Sequence, residues 1–125
     1  MFSILIVDDN PFLASALADI LVLKGFETHV VSSGAAALQV LHDYPVDVLL
    51  TDIIMPEMDG VALYRQTRQT HPKLITILMT AYAADELIQQ GMAEGIRTVL
   101  TKPIDIDFLI LLLSTYKKRK ATGNL

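Results

Sequence analysis

No cysteine occurs among the 125 residues. Disulfides, thiolate nucleophiles and cysteine-ligated zinc sites are therefore excluded. Long hydrophobic runs are absent too. Hydrophobic residues make up 52% of the chain and mean hydropathy is +0.44, yet the longest unbroken apolar stretch is the six residues 108–113. A membrane-crossing helix needs about 20. Residues 1–7 carry no cationic flank and run directly into Asp8 and Asp9, which is not the pattern of a secretory signal. Positive charge is in short supply. Ten Lys and Arg against fourteen Asp and Glu leave a formal net charge of −4. That balance argues against direct nucleic-acid contact by this domain, because phosphate binding needs clustered cations. The expected setting is the cytoplasm, without membrane contact, and the length suits one domain rather than two.

What the chain does contain is an alternation. Short runs rich in β-branched and aliphatic residues lie at 3–7, 26–31, 46–51, 74–79 and 96–101. Those near Ile4, Val48 and Leu74 are almost continuously apolar, as strands buried on both faces are. Between them the period is helical. The first helix opens at Pro11 and closes at Lys24-Gly25. Phe12, Ala16 and Ile20, with Leu13, Leu17 and Leu21 beside them, are expected to form its apolar stripe. A second helix is predicted over 34–44, capped by Ser32 or Ser33 and stopped by Pro45. A third runs from Asp59-Gly60 to His71-Pro72, since the residue before proline disfavours helix. A fourth, over 83–93, is weakened by Gly91 and ends at Gly95. The fifth opens at 105–107 and ends in Lys117, Lys118, Arg119 and Lys120, charge signs that suit a helix dipole.

Strict βα alternation requires parallel strands joined by right-handed crossovers, with helices on both faces of the sheet. The expected fold class is α/β: a (βα)5 doubly wound five-stranded parallel sheet in strand order 2-1-3-4-5, a flavodoxin-like three-layer sandwich. The domain is expected over residues 1–120, with 121–125 the start of a linker or a disordered tail. Ligands of such folds bind at the carboxyl ends of strands where the winding reverses. Asp8, Asp9 and Asn10 follow the first strand, Asp52 the third, Thr80 the fourth, and Lys102-Pro103 the fifth. Each alone reads equally as a helix cap, a turn residue or a surface charge. Together they put three carboxylates, a hydroxyl and an ammonium around one crevice. Two carboxylates about 5 Å apart repel by roughly 3 kcal/mol at an effective dielectric of 20, so three need cations. Lys102 offsets one charge, and a hard divalent ion such as Mg²⁺ suits the rest. A carboxylate beside Mg²⁺ is a known type of phosphoryl acceptor.

Asp8-Asp9, Asp52 followed by the stretch from Ile53 to Gly60, Thr80-Ala81, and Thr101-Lys102-Pro103 resemble the motifs of CheY-like receiver domains of two-component response regulators. The resemblance covers essentially the whole chain from Ile4 to about Tyr116. It implies that Asp52 accepts a phosphoryl group from a phosphohistidine on a sensor histidine kinase or a histidine phosphotransfer protein. It implies that Asp9, Asp52 and the backbone carbonyl of Ile54 bind Mg²⁺ directly, with Asp8 helping through water. Thr80 and Lys102 would each contact a phosphoryl oxygen, and the Lys102-Pro103 bond would be cis, a form found in only about 5–6% of X-Pro bonds.

The pattern departs from the family at Val99. Receivers usually carry an aromatic residue three positions before the lysine, which turns inward as the threonine moves. Tyr82, two residues after Thr80, is the aromatic expected to take over part of that switching role. Ile54 and Tyr82 are also expected to shield the phosphoryl group from water. The 108–113 run encircles a helix that can bury only one face, so part of it must face solvent or a partner. Homodimerisation through helices 4 and 5 is the resulting expectation. The expected function is a phosphorylation-dependent signalling switch rather than a turnover enzyme. The alternative is a receiver-like interaction module that signals without phosphorylation. A Mg²⁺-dependent aspartate phosphatase is disfavoured by the absence of Asp-x-Asp after the first strand, and a dinucleotide-binding fold by the absence of Gly-x-Gly-x-x-Gly there.

Overall fold

The computed structural model describes residues 1–81 and 86–123. Among these residues five strands and five helices alternate: β1 (Ser3–Val7), α1 (Pro11–Leu23), β2 (Glu27–Val31), α2 (Gly34–Asp43), β3 (Val48–Asp52), α3 (Gly60–Thr70), β4 (Ile75–Thr80), α4 (Glu86–Ala93), β5 (Thr98–Thr101) and α5 (Ile106–Ala121). The strands form one parallel sheet in the order β2-β1-β3-β4-β5. This is the (βα)5 doubly wound architecture expected from the alternation. Side-chain alternation splits the core in two. Ile4, Ile6, Val48, Leu50, Ile77 and Met79 pack with α1 and α5 on one face. On the other, Leu5, Val7 and Leu49 meet α2 and α3, while Leu78 packs beside Val61 and Ile96. Both faces of β1 and β3 are thus covered, which is why their sequences read as continuous apolar runs.

Helix starts follow side-chain capping. Asn10, Ser33, Asp59 and Asp105 each accept a hydrogen bond from the backbone N–H three residues on, opening α1, α2, α3 and α5. The expected fourth helix begins within residues outside the described set, and its described part starts at Glu86. Helix α5 extends to Ala121, one residue past the expected domain boundary.

The inward face of α1 differs from the expected one. Ala14, Leu17, Ala18 and Leu21 are buried, whereas Phe12 is 85% exposed, Leu13 is 55% exposed, and Ala16 also faces solvent. Ser15 and Asp19 are the only polar side chains of this helix, so the apolar residues alone set its rotation only loosely. Ala14 and Ala18 on the inner face let the backbone lie close to the sheet beside the buried Leu17 and Leu21, while Phe12 and Leu13 are left outside.

The basic end of α5 is tied to the sheet. Lys117 lies 5.4 Å from the Phe26 ring centroid and Lys120 lies 5.9 Å from that of Phe2. Lys120 also pairs with Asp47, whose other oxygen accepts the Ser3 N–H at 2.8 Å. None of the described helices is long and apolar enough to cross a membrane.

Candidate functional site

The carboxyl ends of β1, β3, β4 and β5 converge at one edge of the sheet. Just past β1, the Asp8 N–H donates to the Val31 carbonyl at 3.2 Å, which keeps the turn against β2. Asp8 is only 3% exposed, and its Oδ1 accepts the Asn10 N–H at 2.9 Å. Asn10 in turn caps α1, so Asp8 is fixed between a strand end and a helix start. Asp9 is exposed. Asp52 is the last residue of β3, aligned with Met79 of β4, and the Ile53 N–H continues the ladder to the Met79 carbonyl at 2.9 Å.

The segment after Asp52 folds tightly back on itself. Glu57 has φ 70°, and the Gly60 N–H donates to the Ile53 carbonyl at 2.8 Å. A β-carbon at Gly60 would lie 2.5 Å from the Asp52 carbonyl oxygen, so only glycine lets α3 begin this close to the strand end.

Lys102 arrives from the other side. Its N–H donates to the Thr80 carbonyl at 2.7 Å, and the Lys102-Pro103 peptide is cis, as the resemblance implied. Its Nζ donates to Asp8 Oδ2 at 2.8 Å and to Asp52 Oδ2 at 3.3 Å. Carboxylate oxygens of Asp8, Asp9 and Asp52 all lie within 4.8 Å of one another. Thr80 is buried at the end of β4, aligned with Thr101. The five residues read from the sequence as a crevice are therefore neighbours at one sheet edge.

The electrostatics follow from this crowding. Burial pushes the Asp52 carboxyl above its ordinary range. The Lys102 charge pulls it back, and the charges of Asp8 and Asp9 reinforce the rise. For Lys102 burial alone would favour the neutral amine, but the hydrogen bond to Asp8 and the charge of Asp52 outweigh it and raise its pKa. One ammonium among three carboxylates leaves the cluster short of positive charge, and the donor set, all oxygen, fits a hard divalent cation.

The remaining expected residues fall into two groups. Ile54 is 50% exposed, two positions beyond Asp52. Val99 is half-buried, aligned with Leu78 and packed against the group formed by Ile53, Val61, Leu78 and Ile96, so no aromatic ring occupies that position. Tyr82 lies outside the described residues. Sequence reasoning missed a groove of about 470 Å³ that reaches Asp8 and Lys102 and is walled by Leu13, Ala16 and Ile20 of α1 and by Pro103 and Ile104. Its only sequence signal was the surplus of apolar residues around α1.

Comparison with known proteins places this arrangement among signalling modules. Residues 4–114 match the family model described as the response regulator receiver domain. The chain is 40% identical over 110 residues to the regulatory protein AtoC of Escherichia coli, covering 88% of this chain and 24% of AtoC. It is 37% identical over 116 residues to the sensor histidine kinase RcsC of Escherichia coli, covering 93% of this chain and 12% of RcsC. The chain thus spans a quarter or less of these relatives. Among solved structures, the response regulator protein TrrA from Thermotoga maritima, in complex with Mg²⁺-BeF, superposes with a TM-score of 0.80 at 25% identity, covering 93% of this chain and 99% of that one.

Proposed function

This chain belongs to the response regulator receiver domain family, and from that premise we propose that Asp52 accepts a phosphoryl group from a phosphohistidine of a sensor histidine kinase or histidine phosphotransfer protein. The observation that carries the reading is Lys102 Nζ, within 2.8 Å of Asp8 and 3.3 Å of Asp52, in a cluster of three carboxylates that it cannot neutralise alone.

In the proposed step an Asp52 carboxylate oxygen forms a bond to phosphorus as the phosphorus–nitrogen bond to the donor imidazole breaks. Aspartyl phosphate and free imidazole result. Lys102 is placed to exchange its contact with Asp52 for one to a phosphoryl oxygen, and the Thr80 hydroxyl to donate to another. Asp9, Asp52 and the Ile54 carbonyl would hold Mg²⁺, with Asp8 assisting through water. Bound there, the metal supplies neutralisation of phosphoryl charge that Lys102 alone does not. The groove beside Asp8 and Lys102 gives a protein donor an apolar landing surface that a small phosphodonor does not need.

A phosphoryl group adds about −1.5 to −2 charge, which is the input to a two-state switch rather than a turnover reaction. We place the receiver unit at residues 1–120 and its output surface on α4 and α5, where Met92, Phe108 and Leu111 are exposed apolar side chains suited to a second copy. Val99 lacks the usual ring. Switching through the threonine therefore depends on aliphatic packing or on Tyr82. The alternative of a non-phosphorylated interaction module is not favoured, because the acid, hydroxyl and lysine set is complete.

The test is transfer of labelled phosphoryl from a phosphorylated histidine phosphotransfer domain. The account expects Mg²⁺-dependent label on the wild-type chain and none on Asp52→Ala. Equal labelling of both would move the acceptor elsewhere.

A further inference from the structure

A second cavity, of about 560 Å³, opens at the opposite end of the sheet from the acid cluster, where β4 and β5 begin. Its volume falls within the roughly 300–1,000 Å³ of small-molecule sites. Its walls come from distant parts of the chain: Tyr64 and Arg68 of α3, Lys73 in the turn before β4, Arg97 before β5, and Tyr116 and Arg119 near the end of α5.

The charge around it is one-sided. Arg68, Lys73, Arg97 and Arg119 are four of the ten Lys and Arg in a chain of net charge −4, and no Asp or Glu is among the described residues lining the cavity. Lys73, Arg97 and Arg119 pair with no carboxylate among the described residues. Arg68 shares Glu94 with Arg65, so that trio also keeps one positive charge.

Two of the guanidinium groups are held in place by rings. Arg68 lies 5.6 Å from the Tyr64 centroid and Arg119 lies 6.0 Å from that of Tyr116. Such stacking restricts the arginines before any ligand arrives, and the planar fork of a guanidinium matches phosphate oxygens. Thr76 supplies an independent observation. It lines the cavity, is only 8% exposed, and its hydroxyl has no hydrogen-bond partner among the described residues. A buried hydroxyl without a partner is an uncommon expense in a folded chain.

We propose that this cavity binds a small multiply charged oxyanion of the diphosphate class, separately from the phosphoacceptor crevice. The space exceeds a single phosphate group, and at least three cations without carboxylate partners face a ligand of two or more charges. Free pyrophosphate and the diphosphate of a nucleotide share this chemistry.

The test is a titration of the full chain with inorganic pyrophosphate at low ionic strength without Mg²⁺, followed by calorimetry and by amide chemical shifts. The proposal expects saturable binding, with shifts concentrated at residues 73–76 and 95–98. Affinity should fall at least about tenfold in the Arg97→Ala, Arg119→Ala double variant and stay unchanged in Asp52→Asn. Should the double variant fail to fold, Lys73→Ala carries the same expectation of weaker binding. A parallel titration with ADP identifies the source: tighter binding than pyrophosphate marks a nucleotide site, and equal binding a site for the diphosphate alone. Absence of saturation, shifts centred on Asp8 and Lys102, or full affinity in the cation variants would overturn it.

Discussion

Lys102 Nζ sits closer to Asp8, at 2.8 Å, than to Asp52, at 3.3 Å. The lysine is thus committed first to the more buried carboxylate, and Asp52 is left with partial compensation. Its pKa is raised by burial first and by the charges of Asp8 and Asp9 in addition, with Lys102 only partly opposing them.

A pH dependence of stability follows from this relationship. A carboxyl whose folded pKa is raised holds its proton more tightly when folded, so ionising it costs the native state. The cost is absent below the unfolded value near 3.8 and is complete above the folded pKa. Asp52→Asn removes it. Without Mg²⁺ at neutral pH the variant is expected to melt at a higher temperature than the wild type. The difference should shrink as the pH falls toward 3.8, and Mg²⁺ should narrow it by stabilising the wild type alone. A less stable Asn variant at neutral pH would contradict this reading of the cluster.

Shielding by Ile54 makes a kinetic prediction. Its aliphatic side chain, two residues from the proposed acceptor, is expected to keep water from the phosphoryl group, giving a half-life of minutes or longer. Ile54→Ala should shorten that lifetime severalfold while leaving the fold intact, since the side chain is half exposed. Loss of label over time after removal of the donor measures it, and a wild-type half-life of seconds would count against shielding.

The groove along α1 separates two kinds of donor. Leu13 is 55% exposed and forms part of its wall. Leu13→Ala should slow transfer from a phosphohistidine protein by about tenfold and leave transfer from a small phosphodonor unchanged. Equal slowing of both reactions would mean that the residue acts on the crevice itself rather than on docking.

Exposed apolar side chains on α5 predict association. Phe108 is 48% and Leu111 is 64% exposed, while Leu109 and Leu113 are fully buried. Phosphorylated wild type is expected to dimerise in sedimentation measurements, and Phe108→Glu with Leu111→Glu to remain monomeric. A wild type that stays monomeric at high concentration in both states would remove α5 as a dimer surface.

The crevice was legible in the sequence because a doubly wound sheet brings all strand carboxyl ends to one edge. Reading the residue after each apolar run then suffices, and Asp8, Asp52, Thr80 and Lys102 were reachable that way. Helix starts at Ser33, Asp59 and Asp105 were legible because capping is local chemistry. The rotation of α1 was not. A helix with Phe12, Leu13, Leu17, Ile20 and Leu21 around its circumference has only the narrow polar strip of Ser15 and Asp19 to set its phase, and packing against Ile4, Ile6 and Leu113 decides it. The basic cavity was hidden for another reason. Tyr64, Lys73, Arg97 and Arg119 are separated by whole elements, and no local spacing brings them together.

The most direct test of the central claim is intact mass after incubation with Mg²⁺ and a small phosphodonor. The account predicts an adduct of one phosphoryl group on the wild type, lost when Mg²⁺ is chelated and absent from Asp52→Ala. No adduct on the wild type, or the same adduct on Asp52→Ala, would contradict it.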